Sequence, residues 1–154
     1  MDEYLLYIGG EWRAGRTAPD AATSPATGET FASVAMAGPA DVDDTVRAAA
    51  RAWPDWAARS PFERADWCDR VAAAILGRRA DLARVLTLDQ GKPLQAEAYD
   101  EVGELAGYFR MAAADVRRLD GAFPPSTSAG RRVITVRVPL GVVGVISPWN
   151  WPYT

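Results

Sequence analysis

Apolar residues recur at two different periods along the chain, and the change of period divides it. From Gly38 to Leu119 they return every three or four positions, as on one face of a helix; on either side they gather in short runs broken by Gly and Pro. Tyr4 to Trp12 is rich in aromatic and aliphatic residues around Gly9-Gly10, a two-residue turn signal, and predicts a hairpin. A second extended segment is predicted over residues 30–36, with a loop over residues 18–28 punctuated by Pro19, Pro25 and Gly28.

The helical region carries its own start and stop signals. Pro39 at a first helical position, with Asp41 and Asp43 near the positive end of the dipole, opens a helix expected to run to about Trp53, where Pro54 interrupts it. Ser60-Pro61-Phe62-Glu63 is a capping box that opens a stronger helix, whose predicted apolar face is Phe62, Ala65, Cys68, Val71, Ala72, Ile75 and Leu76. Leu82, Val85, Leu86 and Leu88 continue the spacing to Gly91, a helix stop. From Pro93 to Leu119 a stripe of Leu94, Ala98, Val102, Leu105, Phe109, Ala112, Val116 and Leu119 predicts one long helix. Gly121 to Gly130 then reads as a loop, and the runs Val133 to Val138 and Val142 to Ile146 read as β-rich. Two β segments thus follow a helical region, the elements expected of an α/β chain.

Composition narrows the function classes. With 154 residues, 49% apolar and 24% charged, the chain can bury a core. Seventeen basic residues stand against 20 acidic ones, and the basic residues are dispersed, so nucleic acid is a poor partner. The six Trp residues are scattered at positions 12, 53, 56, 67, 149 and 151 and point to packing, not base stacking. Met1-Asp2-Glu3-Tyr4 carries acid where a secretory leader carries Lys or Arg, and no stretch reaches bilayer length, so a cytoplasmic protein with no membrane partner is expected. The lone cysteine, Cys68, falls on an apolar helix face and reads as core. There is no histidine, which excludes His triads and His metal ligands within the chain.

Candidate chemistry concentrates at Pro148-Trp149-Asn150-Trp151-Pro152, just after the run Val142 to Ile146. An Asn between prolines past a predicted strand is a fixed carboxamide donor at the carboxyl end of a sheet, where open α/β folds place ligands. Gly91-Lys92 does not make a phosphate-binding loop, because Pro93 replaces the required Ser or Thr and Leu86 stands where the first Gly should be. Lys92 reads instead as a helix-end cation.

Residues 138–153, Val-Pro-Leu-Gly-Val-Val-Gly-Val-Ile-Ser-Pro-Trp-Asn-Trp-Pro-Tyr, closely resemble the strand and active-site loop of the NAD(P)-dependent aldehyde dehydrogenase superfamily. Tyr7-Ile8-Gly9-Gly10-Glu11-Trp12 is similar to that family's opening hairpin, Ser24-Pro25-Ala26-Thr27-Gly28-Glu29 to its Asn-Pro-x-Thr-Gly-Glu turn, and Leu88-Asp89-Gln90-Gly91-Lys92-Pro93 to its Gly-Lys-Pro junction. Four motifs in register over essentially the whole chain make the resemblance specific. Gln90-Gly91-Lys92-Pro93 leans toward the succinate-semialdehyde branch.

The resemblance implies the amino-terminal third of such an enzyme: residues 1–130 as the first, mostly helical part of the cofactor-binding domain, 131–140 as an oligomerisation-arm strand, and 141–154 as the start of its parallel sheet. It implies that Asn150 holds the carbonyl oxygen of a small-molecule aldehyde, and that Ile146, Ser147, Pro148, Trp149 and Asn150 line the cleft for NAD or NADP. It implies a homo-oligomer, dimer or tetramer, for the full-length form. Asp89 with the backbone oxygens of Ala22 and Thr23 matches a monovalent-cation site, although Asp89 also reads as a solvated helix-end carboxylate, and Ser24 departs from the family's usual Asn. The family's nucleophilic Cys and general-base Glu are expected beyond Thr154, so the fragment alone is expected to be inactive. The alternative is a non-catalytic short chain that associates with full-length subunits.

Overall fold

The computed structural model describes residues 1–154. Three short strands open the chain: β1 (Asp2–Tyr4), β2 (Leu6–Ile8) and β3 (Glu11–Arg13). Gly9 and Gly10 take positive φ, 65° and 93°, which lets two residues reverse the chain into the predicted hairpin. The register sets Tyr7 opposite Trp12, with ring centroids 4.8 Å apart.

β4 (Asp20–Thr23) lies inside the predicted loop and pairs antiparallel with β5 (Thr30–Val34), which also pairs parallel with β1; the sheet order is β1-β5-β4. Asp-Ala-Ala-Thr has little β signal of its own, and its partner β5 supplies the ladder that its composition does not. The turn between them is closed by Gly28 N–H donating to the Ser24 carbonyl at 2.8 Å and Ser24 N–H donating to that of Glu29 at 3.0 Å.

Helix α1 (Pro39–Ala58) runs through Pro54, five residues past its predicted end. A proline removes one backbone donor and strains a helix without always ending it. At the start of α1 the buried carboxylate of Asp41 accepts the N–H of Gly38 and of Arg16, each at 2.9 Å. α2 (Pro61–Gly77) opens on the predicted reciprocal cap: Glu63 N–H donates to Ser60 Oγ at 3.2 Å, and Ser60 N–H to Glu63 Oε2 at 2.8 Å. α3 (Arg79–Gln90) ends at Gly91, whose φ of 74° places it in the left-handed region. The predicted long helix from Pro93 is instead a π turn (Leu94–Ala98) followed by α4 (Tyr99–Val116).

The core lies among these helices. Ala83, Leu86, Ala98 and Val102 form one buried cluster, and α2 packs along α4 with Ala65, Ala72, Ala106 and Ala113 all buried. Small residues at these positions let the helices pack closely. Phe62, assigned to the apolar face of α2, is instead 64% exposed. Its place in the first turn carries it past the helix pairing.

The two C-terminal β runs find no partner strand within the chain. Residues 133–138 and 142–146 form no ladder; their only pairing is the isolated bridge between Ala122 and Thr135. β propensity records a fit to a pleated surface, and no second segment of the chain offers one here. Val136, Val138, Leu140, Val145 and Ile146 are consequently exposed.

Candidate active site

The positive φ of Gly91 turns the chain at the end of α3, and its N–H closes the helix on the Thr87 carbonyl at 2.9 Å. The next residue, Lys92, then runs inward and is buried. Its ammonium lies 2.5 Å from Glu101 Oε2, donates to the main-chain carbonyl of Asn150 at 3.0 Å, and sits 3.9 Å from the ring centroid of Trp151. Glu101, fully buried on α4, accepts the N–H of Tyr153 through its other oxygen at 2.9 Å. The Gln90 carboxamide donates to the carbonyl of Trp149.

A buried ion pair persists only when its remaining donors and acceptors are also engaged, because each charge gives up several kcal/mol of hydration. Here they are engaged. The ammonium has a carboxylate, a carbonyl and an aromatic face; both carboxylate oxygens have donors. Three hydrogen bonds to the loop from Trp149 to Tyr153 are made to its backbone, while the Trp151 ring meets the ammonium and the Tyr153 ring packs against the buried cluster with its hydroxyl on Leu82. The Asn150 side chain is exposed and hydrogen-bonds to nothing within the chain. The Tyr153 ring is half-buried, and burial, followed by the charges of Glu101 and Asp89, holds its phenol above the ordinary 10.0.

Ile146 and Trp149 are 98% and 88% exposed, and Ser147 and Pro148 between them are exposed as well. Asp89 is exposed near the end of α3, which β4, carrying Ala22 and Thr23, touches. A side chain at Gly91 would lie 3.0 Å from the Pro25 ring, so the Pro25 turn and the Gly-Lys-Pro junction meet. No group of three or more Asp, Glu, Cys or His side chains comes together. Cys68 is half-buried on α2. A hollow of about 700 Å³ is lined by Trp53, Trp56, Arg64, Leu119 and residues 136–141, and includes none of the candidate site residues named from the sequence.

Sequence reading missed Lys92, Glu101, Gln90 and Tyr153 as parts of the site. Two signals were there. Lys92 is the one lysine in the chain, every other basic side chain being Arg, and such economy marks a place that needs a compact ammonium. Glu101 falls three residues after Ala98 and four before Leu105, within the apolar stripe, where a carboxylate requires a buried partner.

Residues 12–154 match the aldehyde dehydrogenase family. The chain is 40% identical over 133 residues to the 3-sulfolactaldehyde dehydrogenase of Pseudomonas putida, covering 86% of this chain and 27% of that protein. It is 36% identical over 146 residues to the NADP(+) succinate-semialdehyde dehydrogenase of Escherichia coli, covering 94% of this chain and 30% of that protein. The structure superimposes on that of an E. coli NADP-dependent enzyme with a TM-score of 0.93 and 34% identity, over 99% of this chain and 32% of the other. The chain thus spans about a third or less of the length of the relatives it matches.

Proposed function

Because the chain belongs to the aldehyde dehydrogenase family, we propose that it supplies the oxyanion-binding Asn and one wall of the cofactor cleft to an NAD(P)-dependent aldehyde dehydrogenase. The observation that carries this reading is the loop from Trp149 to Tyr153, held by its backbone while the Asn150 carboxamide stays open. An uncharged donor fixed in this way suits a carbonyl oxygen that gains negative charge as a nucleophile attacks. The substrate class is a small aldehyde, with semialdehydes favoured by the E. coli relative.

NAD or NADP, when bound, accepts the hydride from the substrate carbon. Ile146 and Trp149 offer open apolar surface beside Ser147 and Pro148, chemistry that fits the flat faces of the cofactor's rings. Asn150 orients the aldehyde oxygen. In the reaction of this family a Cys thiolate attacks the carbon to give a thiohemiacetal, loss of hydride from that carbon leaves a thioester, and the thioester is hydrolysed with help from a Glu. We assign neither role to this chain, whose single thiol, Cys68, sits half-buried on α2. The carbonyls of Ala22 and Thr23 with Asp89 make an oxygen set suited to a hard monovalent cation, and the contact of β4 with α3 brings these segments together.

The test joins residues 1–154 to the remaining part of the E. coli succinate-semialdehyde dehydrogenase and follows NAD(P)H formation with semialdehydes. The chimera is expected to turn over, and the 154-residue chain by itself to show no oxidation above background. A folded, oligomeric chimera without aldehyde-dependent reduction would sink the reading.

The exposed apolar residues between Val133 and Ile146 favour a second reading, a non-catalytic chain that associates with full-length subunits through this segment. Mixing the chain with the intact relative and reading subunit mass decides it. Persistent separate species exclude this second role.

A further inference from the structure

We propose that the buried Lys92–Glu101 pair positions the Asn150 carboxamide, so that both are positioning residues for the oxyanion site; this rests on the role assigned to Asn150 above. Lys92 reaches across from the end of α3 to the Asn150 carbonyl, 58 residues on, while Glu101 holds the Tyr153 N–H from α4. The pair therefore grips the loop on both sides of the Trp151 ring, with the ammonium against the ring itself. Because the grip acts on main-chain atoms, it fixes the Cα of Asn150 and leaves the carboxamide free for a ligand.

The chemistry explains why charges are used in a core otherwise built from Ala, Leu and Val. A buried ion pair adds little to stability compared with well-packed apolar side chains of the same volume. It is directional, and hydrophobic packing is not. A donor for a developing oxyanion must be held within about 0.5 Å of its working position, and a displacement near 1 Å costs on the order of a hundredfold in rate. Lysine suits this place because its three N–H bonds leave one small centre, toward a carboxylate, a carbonyl and a ring. The planar fork of arginine, used at every other basic position, does not converge in that way.

Removing one charge alone strands the other in the core and can unfold the protein, so the informative variant is Lys92→Met/Glu101→Gln, made in the whole chain. The introduced glutamine still accepts the Tyr153 N–H, whereas the introduced methionine gives nothing to the Asn150 carbonyl. Two-dimensional 15N–1H NMR should show resonances of residues 149–152 and the Trp151 indole shifted or broadened, with helical circular dichroism retained. Unchanged loop resonances would overturn the proposal.

In the chimera the same double variant should slow single-turnover acylation about a hundredfold. Made on Asn150→Ala, it should add less than about threefold, because the positioned group is already gone. An undiminished loss in the Asn150→Ala background would make the pair merely structural and overturn the inference. An inactive parent chimera would count against the proposed function alone, and the NMR comparison would still decide whether the pair places the loop.

Discussion

The Tyr153 hydroxyl donates to the Leu82 carbonyl across 3.2 Å, tying the end of the Asn150 loop to α3 seventy-one residues earlier. The same ring is half-buried and faces the negative charges of Glu101 and Asp89, which raises its pKa above 10.0 in the folded chain.

A phenol with a raised folded-state pKa contributes stability that is full below its unfolded value, near pH 10, and is lost as pH rises through the folded value. Alkaline titration followed by Trp fluorescence should therefore show the loop loosening above about pH 10. Tyr153→Phe should remove that step and cost about 0.5–1.5 kcal/mol at neutral pH for the lost hydrogen bond. Superimposable alkaline curves for parent and variant would contradict the assignment.

At the acid end the relevant group is Asp44. Hydrogen bonds from Arg47 and Arg16 hold its carboxyl at about 2, below the ordinary 3.8. Its stabilisation is present above the unfolded pKa and disappears as pH falls from about 4 toward 2. Asp44→Asn should flatten the melting temperature over that window while leaving slope from Asp41 and Glu63, whose carboxyls are also lowered. A melting profile with undiminished acid slope would remove Asp44 from this role.

Gly91→Ala tests the junction that delivers Lys92. The left-handed φ of 74° disfavours any Cβ, and the added carbon would meet the Pro25 ring at 3.0 Å. The expected loss is about 1–2 kcal/mol in denaturant melts from the backbone alone. A neutral substitution would show that the turn relaxes without it.

Asn150→Ala in the chimera should raise the acylation barrier by about 2.7–4 kcal/mol, roughly a hundredfold or more in rate. Cofactor affinity and melting temperature should change little, since the Lys92 contact is to the main-chain carbonyl that alanine keeps. An unchanged single-turnover rate removes Asn150 from the catalytic residues.

Local signals carried much of this fold in the sequence. Ser60 and Glu63 are three residues apart and cap each other whatever lies beyond them, and Gly9-Gly10 sets its turn alone. β4 was hidden because Ala21 and Ala22 become a strand only when β5 is alongside. The run Val142 to Ile146 has the propensity but no partner within the chain, so it makes no ladder. Asn150 was singled out through the resemblance of residues 138–153 to the family's active-site loop, and its role is a proposal. Its supports were not legible, because Lys92 meets Asn150 through tertiary contact, with no sequence spacing to advertise it.

The π turn has a consequence for length. Successive residues of an α-helix are rotated by about 100°, so side chains nine positions apart on one straight helix would point to opposite sides. Lys92 and Glu101 are nine apart and touch, because Pro93 and the wide turn over Leu94–Ala98 reset the phase between them. That stretch works as a spacer of fixed count. Gln95, Ala96 and Glu97 are exposed and can change identity freely, but a residue gained or lost there would swing Glu101 about a quarter-turn from Lys92 without altering either side chain.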